Sequence, residues 1–121
     1  VHYRLGKAYG INYVPSLWFA FRATNSDTVQ YCQPDGLLFV EEGGEKLVIC
    51  EVKYQHVPDA FFQLQDKYLP VVQAAFPTIP LALCEVVKWY DPAVAFPCEV
   101  KKAPRVHEVK ENEFGVHILN R

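Results

Sequence analysis

Methionine is absent from this chain, and so is any apolar run near the roughly 18 residues that would span a membrane. With no methionine at its head, Val1 is not taken as a translation start. The N-terminus also lacks the charged, apolar and small-residue blocks of a secretory signal peptide. Cysteine is sparse: Cys32, Cys50, Cys84 and Cys98 form no CxxC pair, which argues against a zinc ribbon or finger. Cys50 and Cys84 lie in apolar runs and read as small core residues, a usage that points to a reducing cytoplasm. There is no glycine-rich phosphate cradle, no GxSxG and no Cys–His pair with local support. Positive charge is not in excess either. Twelve Lys+Arg against fourteen Asp+Glu leave a net charge of −2, so this is not a protein that coats nucleic acid by bulk charge.

The charges that are present are segregated. Residues 1–26 carry Arg4, Lys7 and Arg22 and no acid. Residues 27–66 carry eight acids against only Lys46 and Lys53. Lys101, Lys102 and Arg105 form a basic cluster near the C-terminus. Ordinary solvated charge is one reading. The other is an acidic metal site flanked by basic surface.

Half of the 121 residues are hydrophobic, enough for one domain, 1–121, with its own core. Residues 13–22 (YVPSLWFAFR) predict a strand after a short basic start, and Asn25-Ser26-Asp27 a turn. Residues 35–40 and 46–54 predict two strands joined through EEGGE as a hairpin. Pro58-Asp59 opens a helix capped by Asp59 or a neighbour, with Phe61, Gln65, Tyr68, Val72 and Ala75 along one face. Pro70 should kink or shorten it. Residues 79–90 predict a strand buried in its first half, and 115–120 a last strand. A hairpin, a helix and further strands make a mixed α/β or α+β domain, a sheet covered by at least one helix. Cys-Glu-Val occurs at 50–52, 84–86 and 98–100, at intervals that fit no solenoid, and reads as chance plus strand composition.

Glu-Val-Lys also occurs three times, at 51–53, 99–101 and 108–110, where charged composition alone yields about one acid-x-Lys by chance. The setting singles out the first copy, which ends a strongly apolar strand. Side chains alternate along a strand, so Leu47, Ile49, Glu51 and Lys53 share a face. A hairpin centred on Gly43 pairs residues whose numbers add to about 86 and sets Asp35 against Glu51. A two-residue Gly43-Gly44 turn would set Asp35 against Val52 instead. Two ionised carboxylates about 5 Å apart repel by roughly 3 kcal/mol at an effective dielectric near 20, and a divalent cation between them reverses the sign. Oxygen ligands suit Mg²⁺ or Mn²⁺ better than Zn²⁺. Lys53 adds a cation, or a general base, that can position or deprotonate water. That set can hydrolyse a phosphodiester. The plainer reading is a turn-starting Asp35 and a strand-end salt bridge between Glu51 and Lys53.

Gln33-Pro34-Asp35-Gly36, a hairpin, Ile49-Cys50-Glu51-Val52-Lys53 sixteen residues after the Asp, and a helix with an early Gln resemble the PD-(D/E)XK nucleases, the restriction-endonuclease-like fold. The motif region spans about residues 33–76. The resemblance implies that Asp35, Glu51 and the Val52 carbonyl hold Mg²⁺ (or Mn²⁺), that Lys53 acts on water, and that a helix Gln supports the site. Gln63 fits by its Gln-Leu context, whereas Gln65 shares a helical face with Tyr68. Residues 1–26 supply none of the N-terminal acid that many members carry.

The resulting expectation is a cytoplasmic Mg²⁺-dependent nuclease acting on DNA through Asp35, Glu51, Lys53 and Gln63, with no membrane association and with a homodimer as one means of cutting two strands. His56, Lys101, Lys102 and Arg105 are candidate nucleic-acid contacts. Trp18 and Phe19 read as core residues, with base stacking as the alternative. His2, His107 and His117 have no ligand-like spacing. The alternative function is a nuclease-like fold that has lost catalysis and binds nucleic acid or a protein partner.

Overall fold

A computed structural model describes residues 1–41, 44–90 and 104–120, with Asn120 described by its backbone alone. Its elements are helix α1 (His2–Tyr9), strands β1 (Tyr13–Pro15), β2 (Phe19–Arg22), β3 (Val29–Cys32), β4 (Gly36–Val40) and β5 (Lys46–Lys53), helices α2 (Asp59–Phe62) and α3 (Leu69–Ala75), and strands β6 (Leu81–Trp89) and β7 (Phe114–Asn120). Among the described residues, five strands form one mixed sheet in the order β1-β4-β5-β6-β7, and β2 and β3 form a separate ribbon. The fold is mixed α/β.

Strands β4 and β5 form the expected antiparallel hairpin. Leu37 pairs with Ile49 and Phe39 with Leu47, numbers that add to 86, as a turn centred on Gly43 requires. Next to it, β6 runs parallel to β5, and β7 parallel to β6. Parallel neighbours need a crossover, and α2 and α3 supply the one between β5 and β6. Both central strands are covered on two faces, so they read as continuous apolar runs rather than as alternating ones.

Two cores follow from the alternation of side chains. Leu38, Val48, Cys50, Ala82, Cys84 and Val86 face α1 through Leu5, together with Tyr13, Val106 and Val109. On the other face, Leu37, Leu47, Ile49, Leu81 and Leu83 pack under Leu64, Tyr68 and Val72 of the crossover, and Phe19, Phe21 and Cys32 of the ribbon join them. No helix among the described residues is long and apolar enough to cross a membrane.

Three local expectations are corrected. Residues 2–9 are helical, and the run 13–22 is split in two at Ser16, whose φ of 58° lies in the left-handed region. The buried face of the crossover helix is Ala60, Leu64, Tyr68 and Val72, whereas Gln65 and Ala75 are exposed. That helix contains a π-helical turn, Gln63–Tyr68, closed by the Leu69 N–H donating to the Leu64 carbonyl. Pro70 stands in the first turn of α3. It brings no N–H and its ring crowds the carbonyl four residues back, a conflict that a widened turn relieves. Its effect is thus a change of helical pitch. Asp59 makes no side-chain capping bond, and Pro58 occupies the cap position.

Gly36 fixes how the edge strand meets the hairpin. A Cβ there would lie 2.6 Å from Cζ of Tyr13, whose ring lies across the strand and whose hydroxyl meets His2 Nδ1 at 2.7 Å. Gly36→Ala is expected to lower stability by about 1–3 kcal/mol through overpacking. Urea unfolding would show a lower midpoint with an unchanged slope.

Candidate metal and hydrolytic site

The hairpin register carries Asp35 and Glu51 to the same end of the sheet and to one face. Asp35 lies just before β4, one step beyond the Gly36–Cys50 pair. Its backbone carbonyl accepts the Ser16 N–H at 3.0 Å, and its Oδ2 accepts the Val52 N–H at 2.7 Å. The side chain therefore continues the ladder where the backbone pairing stops. In extended backbone the N–H and C=O of one residue point to the same edge, so the Val52 carbonyl also faces the Asp35 side. Gln33 braces the approach by donating to the Ser16 carbonyl at 2.8 Å.

Glu51 is 5% exposed, and Lys53 Nζ stands 3.4 Å from its Oε1. Its other oxygen, Oε2, is buried with no hydrogen-bond donor. Burial raises its pKa to about 7, the charge of Asp35 raises it too, and Lys53 partly opposes both. Tyr68, under the crossover helix, is pushed up to about 12, first by burial and then by the charges of Glu51 and Asp35.

The π turn sets the two glutamines apart. Gln65 is exposed. Gln63 is half-buried, and its Oε1 is a second buried oxygen with no donor. A π turn brings residues five apart onto one face, so Gln63 shares the inner side with Tyr68, a match that an α-helix would give to Gln65. The pitch change was not legible from periodicity.

The fit to a divalent cation rests on these acceptors. Among the described residues, no three His, Cys, Asp or Glu side chains gather closely enough to cage a metal. The oxygens that the hairpin brings together are those of Asp35 and Glu51 and the Val52 carbonyl. Such a set suits Mg²⁺, which takes one or two carboxylates and completes its shell with water and phosphate oxygens. Glu51 Oε2, buried with no donor, is an acceptor open to a cation, a water or a proton.

A further acid was missed. Glu85 of β6 is fully buried beside Glu51, and His56 Nδ1 meets its Oε1 at 2.5 Å. The signal was present in the repeated tripeptide. Cys50-Glu51-Val52 and Cys84-Glu85-Val86 lie side by side in register on the parallel strands, so reading the repeat as chance overlooked two equivalent strand ends. The third copy, 98–100, lies outside the described residues, as do Lys101 and Lys102. Arg105 is exposed and lines a cleft of about 650 Å³ with Arg4, Leu5 and Glu108 on the α1 side. It is not brought to Asp35 and Glu51. Trp18, expected in the core, is 63% exposed, whereas Phe19 does pack on the core beneath α3.

A scan of protein-family models, a search of curated proteins and a search of solved structures each returned no match for this chain.

Because the folded protein binds the Glu51 proton more tightly than the unfolded chain, this group stabilises the fold below pH 4.5, and the contribution is lost as pH rises through about 7. Metal-free protein should therefore melt at a lower temperature at pH 8 than at pH 5, and Glu51→Gln should flatten that fall. At pH 8, Mg²⁺ at a hundred times its dissociation constant should restore about 2.7 kcal/mol to the native protein and little to Glu51→Gln. Thermal melts with and without EDTA measure both effects.

Proposed function

We propose that this chain is a Mg²⁺-dependent nuclease that hydrolyses phosphodiester bonds of DNA, on a core of the restriction-endonuclease-like kind. The observation that carries the reading is the pair Asp35 and Glu51, side by side at a strand end, with a buried donorless oxygen on Glu51 and Lys53 beside it. A structural role does not call for two carboxylates at this separation. Asp35, Glu51, the Val52 carbonyl and Gln63 would hold the cation. When bound, Mg²⁺ supplies Lewis-acid stabilisation of the charge that develops on the scissile phosphate.

The chain's own groups do the rest. The Val52 N–H holds the Asp35 carboxylate and the Ser16 N–H holds its backbone carbonyl, so the acid is fixed beside Glu51 before any ligand binds. Glu51 holds the ammonium of Lys53, which is 25% exposed at the rim. Lys53 then orients the attacking water and balances negative charge near the phosphate. The burial of Glu51, which is 5% exposed, strengthens these electrostatic contacts.

A second reading has one observation in its favour. Helix α1 carries Arg4 and Lys7 and no acid, so the first element adds nothing to the oxygen set. A fold of this kind with a lapsed site would bind nucleic acid or a protein without cutting.

Cleavage assays separate the two. Linear, circular, single-stranded and branched DNA, with RNA as comparison, would be incubated with Mg²⁺ or Mn²⁺. The expected result is cleavage that EDTA abolishes and that falls by about 100-fold or more in Lys53→Ala purified in parallel. No cleavage of any substrate, or equal cleavage by both proteins, would favour the lapsed module.

A further inference from the structure

Glu85 is the anomaly of the central sheet. It is 0% exposed, between Leu83 and Val87 on a strand otherwise apolar along its buried length. A buried carboxylate is tolerated only when it is paired and hydrogen-bonded. Both of its oxygens have donors: Oε1 meets His56 Nδ1 at 2.5 Å, and Oε2 accepts the Val57 N–H at 3.1 Å. Among the described residues His56 is its ion-pair partner, and no Lys or Arg is within reach. With Nδ1 turned to the Glu85 carboxyl, the ring's other nitrogen, Nε2, points away from that contact and is the one placed to carry a proton for use elsewhere.

The position of the pair gives that proton a use. Glu85 is the in-register neighbour of Glu51, about 4.8 Å away across the parallel strands. His56 follows Lys53 by three residues, at the same end of the sheet, and its side chain keeps 14% exposure. A loop histidine that only contacted phosphate would need no buried carboxylate behind it. A carboxylate that holds Nδ1 fixes the ring's orientation and tautomer.

We propose that His56, oriented by Glu85, is the general acid of the hydrolysis, giving its Nε2 proton to the oxygen that leaves the phosphorus. This rests on the nuclease reading above. In the step, the water oxygen forms a bond to phosphorus and releases its proton to solvent. The bond from phosphorus to the leaving oxygen breaks with its electron pair on that oxygen, which takes the His56 proton. Solvent then reprotonates the ring. Glu85 is a positioning residue, and His56 touches the reacting atoms.

A leaving group that needs no proton tests this directly. The cleavage positions of the native protein, and the product ends that show which bridging oxygen leaves, would be mapped first. An oligonucleotide with sulfur in place of that oxygen would then be compared with its oxygen parent, because a thiolate departs without protonation. His56→Ala should lose about 100-fold or more on the oxygen substrate yet stay close to native on the sulfur one. His56→Gln, which keeps an N–H donor toward Glu85, should behave alike and guards against a folding artefact. Glu85→Gln should show the same pattern more weakly. Equal losses on both substrates, or no loss on either, would overturn the assignment while leaving the nuclease reading intact. A native protein inert on both would overturn that reading, and this one with it.

Discussion

Two carboxylates that meet at the end of a buried strand repel, and a fold that holds them there must keep both fixed by something else. In this protein the fixing agent is the β4–β5 hairpin. Its register sets Asp35 one step beyond Gly36–Cys50, and the Val52 N–H then holds the Asp35 carboxylate as if it were a further rung. A slip of one residue would send Glu51 to the opposite face, into the core with Val48 and Cys50. The apolar residues around the hairpin make that slip costly. Burial of Leu37, Leu47 and Ile49 under the crossover helix therefore holds together charges that their repulsion alone would drive apart.

The same strands supply two kinds of order at their common end. Between β4 and β5 lies an acidic pair with a donorless oxygen, held open by a lysine. Between β5 and β6 the acid is closed, since both Glu85 oxygens are taken by residues of the loop that leaves β5. One carboxylate is left able to accept a cation and the other is committed to a histidine. Their backbones are equivalent, so the difference comes from the loop 54–58, which reaches Glu85 through His56 and Val57.

Much of this was legible in the residues because it is local. The hairpin follows from two apolar runs around EEGGE, and its register from centring the turn on Gly43. The covering helix follows from Pro58-Asp59 and from Tyr68 and Val72 on one face, although the π turn makes Leu64, and not Gln65, their buried companion. Less was legible where distant segments meet. Helix α1 has few apolar residues, and only the docking of Leu5 on the sheet makes it a structural element. Glu85 looked like one acid in an apolar strand, and its value depends on a parallel pairing that spans the whole crossover. Trp18 was assigned to the core on its residue type, but the break at Ser16 turns it outward.

The π turn between Gln63 and Tyr68 has a consequence for how this helix tolerates change in length. Each residue of an α-helix advances the phase by about 100°, so a turn with one surplus residue stores a phase difference between the two helical arms. Loss of a single residue from 65–67 would be absorbed by closing the π turn into an α turn, leaving Leu64, Tyr68 and Val72 seated on the sheet. Gln63 would then precede Tyr68 by four residues instead of five and would keep its place on the same face. The turn is therefore a local length buffer, in which one residue is gained or lost without rotating either arm of the helix against the sheet.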